Sequence, residues 1–187
     1  QQLNYNTGNI LDNRLMDYKD DEFNANIPMG IFSSTVSQDG RKMMICAQPI
    51  SYLMRPQYDS VHGIPAEPDA IDFCAYFKDL DPYNIRMLSA LRMNATFPYI
   101  LPNVWMPTKP IIDVMDAGLR DNYGQEITLR FLHVFKQWIK ENTAGVVFIQ
   151  IRDRKKGEWN EDLKDPGIGD ILYKPVTTLQ YNFYKVQ

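Results

Sequence analysis

At 187 residues, 44% hydrophobic and 23% charged, the chain has an ordinary globular composition and is long enough for one sizeable core, read as a single domain over 1–187. A net charge of −3 argues against nucleic acid as a partner, because such binders carry a basic face; the one basic cluster, Arg152, Arg154, Lys155 and Lys156, is interrupted by Asp153 and reads as a solvated loop. Two cysteines, Cys46 and Cys74, are too few for a disulfide framework and read as buried free thiols, and no apolar run reaches the ~18 residues of a membrane span.

In chain order, residues 1–9 are polar and read as loose, and 10–19 as a short helix with Leu11, Leu15 and Tyr18 on one side. Pro28 to Gln48 reads as a hairpin, since Asp39-Gly40 separates two apolar runs. Four prolines between 49 and 68 mark an irregular surface excursion. Helices are expected at Ala70–Phe77 and Asn84–Met93, and an extended, turn-rich path from Thr96 to Val104. Ile111 to Met115 reads as a short buried strand that stops at Asp116. The clearest helix runs from Gln125 to Asn142, with Ile127, Phe131, Val134, Phe135, Trp138 and Ile139 at three- and four-residue spacing, and Gly145 marks its end. Val146 to Ile151 lacks polar alternation, as expected for a strand covered on both faces. A Gly/Pro/Asp-rich loop over 157–169 leads to a final helical or mixed segment rich in aromatics.

Strand, helix and strand in that order predict a βαβ unit, whose right-handed connection makes the two strands parallel neighbours. The turn at Asp116 then falls at the carboxyl edge of a parallel sheet, where open α/β folds place their sites. The fold class expected is therefore α/β.

Most catalytic chemistries lack their residues. The two histidines, His62 in the proline-rich excursion and His133 inside the long helix, offer no triad or histidine-rich metal site. The chain contains no HExxH, CxxC, GxGxxG or GxxxxGK[ST] motif, and no GxSxG; Ser33 and Ser34 follow Gly30 but sit in a strand rather than on a strand-to-helix elbow. Carboxylates cluster at Asp113, Asp116, Asp121 and Asp153, which would admit a Mg²⁺ site, although an aspartate before a small residue is also common turn chemistry.

Asp116-Ala117-Gly118, with Asn122 four residues after the glycine, resembles the Asp-Gly-Gly/Ala…Asn motif of the patatin-like phospholipases. Upstream, Leu88-Ser-Ala-Leu-Arg-Met-Asn-Ala-Thr-Phe-Pro-Tyr-Ile-Leu-Pro-Asn-Val is similar to that family's run of small residues followed by Phe-Pro, a hydrophobic pair and Pro, and the Pro28–Gln48 hairpin fits its order. The match covers 25–155, with 156–187 as a C-terminal extension. The resemblance implies a three-layer α/β/α fold, of which this chain would supply an incomplete portion. It also implies a Ser–Asp dyad that hydrolyses lipid acyl esters without a metal or organic cofactor. Asp116 would be the general base, Gly118 would let the backbone pass close by, and Asn122 would hold the turn.

The departures matter as much. Ala117 replaces the usual first glycine, which requires that its φ be negative. The nucleophile motif and the glycine-rich oxyanion loop of the family lie N-terminal to the hairpin, and this chain contains neither. The chain also opens at Gln1 without a methionine or anything resembling a signal peptide. It is therefore expected to be the aspartate-bearing portion of a longer hydrolase, inactive alone, whose partner is its missing N-terminal half or a second copy met through an exposed sheet edge. Contact with a lipid acyl ester implies transient contact with a membrane surface. Two rivals remain open: a non-catalytic interaction domain presenting Trp159, Tyr173, Tyr181 and Tyr184, and a metal-dependent phosphohydrolase using Asp116 and Asp153.

Overall fold

The structure, a computed structural model, describes residues 2–56, 67–97 and 101–151. Its centre grows from the hairpin. Strands β1 (Ile31–Val36) and β2 (Lys42–Cys46) pair antiparallel, with Ile31 opposite Cys46 and Thr35 opposite Lys42. Gly40 closes the turn at φ 71°, a left-handed conformation that glycine adopts without a steric cost. Its N–H donates to the Val36 carbonyl at 2.9 Å. Strand β3 (Ala70–Asp72) joins β2 in parallel. Strand β4 (Val104–Trp105) pairs antiparallel with β5 (Asp113–Met115), and β5 pairs antiparallel with β1, giving the order β3-β2-β1-β5-β4.

Alternation along the strands builds two cores, because successive side chains leave a strand on opposite faces. Val36, Met43, Ile45 and Val114 meet Phe73, Phe77, Ala90 and Met93 on one side, and Met44 and Cys46 meet Ile50, Leu53, Ala70 and Ile127 on the other. Short helices α1 (Gln2–Asn6) and α2 (Lys19–Phe23) lie at the amino end of the chain. Helices α3 (Phe73–Tyr76) and α4 (Met87–Asn94) contribute to the first core, and α5 (Gln125–Val134) to the second. The chain is thus a mixed α/β fold with a five-stranded mixed sheet and helical residues on both faces.

Several expectations change. Residues 10–19 form no single helix but two 3₁₀ turns, Ile10–Asp12 and Leu15–Tyr18, with Leu15 buried. Ala70–Phe77 divides because Ala70–Asp72 pairs with β2, after which the Asp72 carboxylate accepts from the Ala75 N–H at 3.1 Å and starts α3. The long helix breaks at Phe135 (φ −95°, ψ 10°), and α6 (Lys136–Asn142) follows.

The βαβ reading is overturned. Val146 to Ile151 joins no strand ladder and is exposed. Both edges of β5 are already occupied, by β1 and by β4, so no place beside it remains for a parallel neighbour. Asp116 therefore follows a strand flanked by antiparallel partners rather than standing at the edge of a parallel sheet. No helix among the described residues is long and apolar enough to cross a membrane. Both cysteines are free and buried, and burial pushes the Cys46 thiol up to about 11 and the Cys74 thiol up to about 12. Neither has the thiolate character that reactivity needs.

Candidate functional site

Asp116 leaves β5 and opens a 3₁₀ turn, Ala117–Leu119, whose second N–H its own side chain satisfies: Oδ1 accepts from the Gly118 N–H at 2.6 Å. Its main chain is held from two other directions. The Asp116 N–H donates to the Thr96 carbonyl at 2.8 Å, and its carbonyl accepts from the Thr35 hydroxyl of β1 at 2.9 Å. The carboxyl group is half-buried, and that burial raises its pKa above the ordinary value, opposed only by the Gly118 hydrogen bond. Loss of water penalises the charged form, whereas an N–H donor favours it.

The motif residues converge. A methyl group in the Cβ position of Gly118 would lie 2.6 Å from Asp116 Oδ1 and 2.7 Å from Asn122 Oδ1. The two side-chain oxygens therefore crowd over the same bare Cα. Gly118 does not have a positive φ, so space rather than backbone freedom demands glycine there. Ala117 also keeps a negative φ and is buried, which meets the condition its substitution for glycine imposes.

The neighbouring aspartates do different work. Asp113 accepts from Asn103 at 2.8 Å and from Gln38, and the Asn103 amide, with Gln38, holds its carboxyl below the ordinary range. Asp121, 5% exposed, accepts from the N–H groups of Glu126 (3.3 Å) and Ile127 (3.2 Å) at the start of α5. The three carboxylates do not converge, and no group of three or more His, Cys, Asp or Glu among the described residues is placed to hold a metal ion. Asp153, His62 and the aromatics Trp159, Tyr173, Tyr181 and Tyr184 lie outside the described residues; His133 is exposed on α5.

Of the two strand serines, Ser34 Oγ donates to the Met43 carbonyl at 3.3 Å, and the Ser33 main-chain N–H donates to Asn94 Oδ1 at 2.9 Å. A pocket of about 290 Å³ lined by Phe73, Phe77, Leu80, Pro82, Ile85 and Met106 lies elsewhere. Met106 donates to the carbonyl of Ile112 at 2.7 Å, which places that pocket at the amino end of β5, whereas Asp116 follows its carboxyl end.

One charged cluster escaped the sequence reading. Lys42, fully buried, reaches Asp69 (3.1 Å) and Glu126 (2.8 Å). Arg130, 4% exposed, grips Asp69 through two 2.6 Å bonds, contacts Glu126 and donates to the Leu53 carbonyl at 3.0 Å. Arg120, from the turn beside Asp116, adds a 3.3 Å contact to Asp69. A signal existed: Arg130 follows Ile127 by three residues and so shares its inward face of the helix.

No family model, no characterised protein and no solved structure matches this chain.

Proposed function

We propose that this chain is the aspartate-bearing portion of a patatin-like lipid acyl hydrolase with a three-layer α/β/α fold, and that Asp116 is the general base of a Ser–Asp dyad. The observation that carries the reading is the convergence of Asp116, Gly118 and Asn122 on one turn. That turn is tied through Thr96 to the very stretch, 88–104, that also resembles the family. The half-buried carboxyl group with a raised pKa is the kind of base that a hydroxyl nucleophile needs without a histidine between them.

The serine comes from another portion of the hydrolase. Its oxygen attacks the acyl carbonyl while its proton passes to the carboxylate. The leaving alcohol then takes that proton as its bond to the acyl group breaks, and water hydrolyses the acyl-enzyme by the same route. The 187 residues alone are then inactive towards esters, and the substrate cleft forms only with the serine-bearing portion. The exposed apolar run Val146–Ile151, with Val147, Ile149 and Ile151 between 83% and 86% exposed, is the surface such a portion would cover. The same run favours the second reading, a non-catalytic interaction domain.

The test is the reading frame upstream of Gln1 and the protein it encodes. A GxSxG motif there, with esterase turnover that falls about 10²–10⁴-fold in Asp116→Asn while the fold is kept, supports the dyad. Undiminished turnover in that variant excludes it, and absence of any upstream serine motif leaves the interaction domain.

A further inference from the structure

We propose that Thr35 is a positioning residue for the Asp116 carboxylate: from the neighbouring strand β1, its buried hydroxyl fixes the main chain on the carboxyl side of Asp116 and so sets where the side chain is presented. Thr35 lies opposite Met115 in the β1–β5 ladder and is 6% exposed. Its Oγ1 donates to the Asp116 carbonyl at 2.9 Å. The other flank of the residue is fixed by the carbonyl of Thr96, itself fully buried. The carboxyl group accepts from the Gly118 N–H, and its direction depends on a main chain clamped on both sides. Strand packing alone does not account for a hydroxyl here. Valine has the same shape and is favoured in strands, but it would leave the Asp116 carbonyl without this donor. The inference takes from the hydrolase reading only the importance of that carboxylate.

The experiment is a carboxyl ¹³C NMR titration of Asp116 in the 187-residue chain, with Thr35→Val, Thr35→Ser and Thr35→Ala compared. In Thr35→Val and Thr35→Ala the turn loosens and the Gly118 bond, which favours the ionised form, weakens. The midpoint then rises by about half a pH unit or more, and the Gly118 amide resonance moves. Thr35→Ser, which keeps the hydroxyl, holds both near their original values. An unchanged midpoint and amide in folded Thr35→Val overturns the proposal. Should that variant fail to fold, a Thr35→Ser midpoint displaced as far as that of Thr35→Ala overturns it instead. In the serine-bearing protein, Thr35→Val is expected to lower kcat about 10-fold at unchanged KM. If every form lacks esterase activity while the titrations behave as stated, the dyad reading falls and the positioning role of Thr35 stands.

Discussion

The main-chain N–H of Asp116 and the carbonyl of Thr96 are joined by a 2.8 Å hydrogen bond. The bond fastens the end of β5 to the segment that leaves α4. Thr96 is fully buried, and its own hydroxyl donates back to the Arg92 carbonyl at 2.5 Å. The aspartate therefore stands on a platform drawn from α4, β1 and β5, three elements far apart in sequence. Stability and the presentation of one carboxyl group are coupled there, and substitutions around the turn should separate the two.

Gly118→Ala should be the most disruptive small change near the site. The added carbon would sit 2.6 Å from Asp116 Oδ1 and 2.7 Å from Asn122 Oδ1, distances that real contacts do not tolerate. One oxygen must leave, or the turn must open. The expected cost is about 1–3 kcal/mol, measured by chemical denaturation, together with a displaced Asp116 titration. Ala117→Gly, at a residue with ordinary φ, should leave that titration in place.

Asp116→Asn should stabilise the folded chain at neutral pH. Burial raises the folded pKa of Asp116, so its charged form is disfavoured by folding. A raised carboxyl pKa means that its contribution is best below the unfolded value, ~3.9, and is lost as pH rises through the folded value. Asparagine retains an oxygen for the Gly118 N–H and has no charge to desolvate. A higher Tm at pH 7 than that of the unaltered chain, with the difference vanishing near pH 3, is expected from calorimetry; equal Tm values at pH 7 would refute it.

What could be read in advance followed from how local its cause was. The hairpin was legible because Asp39-Gly40 and the flanking apolar runs carry it within twenty residues. Asp116, Gly118 and Asn122 lie within seven residues, so one turn suffices to bring them together, but the crowding of the two side-chain oxygens over Gly118 could not be read from their spacing. Val146–Ile151 was misread because an apolar run has the same composition whether a sheet covers it or an exposed surface carries it. Nothing within those six residues reveals that β1 and β4 already fill both edges of β5. The buried lysine was missed for a related reason: Lys42 opens an apolar strand, and its partners Asp69 and Glu126 lie 27 and 84 positions away in sequence.

Asp121→Ala should unwind the start of α5 without touching the Asp116 carboxyl group. Asp121 satisfies two of the N–H groups that every helix start leaves free, those of Glu126 and Ile127. The residue preceding the helix, Gly124, has no side chain with which to cap it. The loss should amount to about 1–2 kcal/mol, in the range of other helix caps. Amide exchange should quicken first at Glu126 and Ile127, and uniform exchange rates across α5 would contradict the assignment.

Asp69→Asn should be the costliest single substitution in the charged cluster. Burial by itself would push the Asp69 carboxyl up, but hydrogen bonds from Arg130 and Lys42, and their charges, hold it well below the ordinary range. Removing the charge leaves Lys42 and Arg130 facing each other with Glu126 as their shared carboxylate. Breaking a buried pair by deleting one partner costs about 3–5 kcal/mol, and the exposure of Glu126, 41% in its side chain, limits how far it can compensate. A depressed carboxyl pKa contributes stability above its unfolded value of ~3.9 and loses it as pH falls through the folded value. The unaltered chain should therefore lose stability steadily as pH falls below about 4, and Asp69→Asn should show a flatter acid limb from a lower plateau. Urea unfolding at pH 7 and at pH 3 measures both, and parallel acid limbs in the two proteins would remove Asp69 as the group that holds α5 to the sheet.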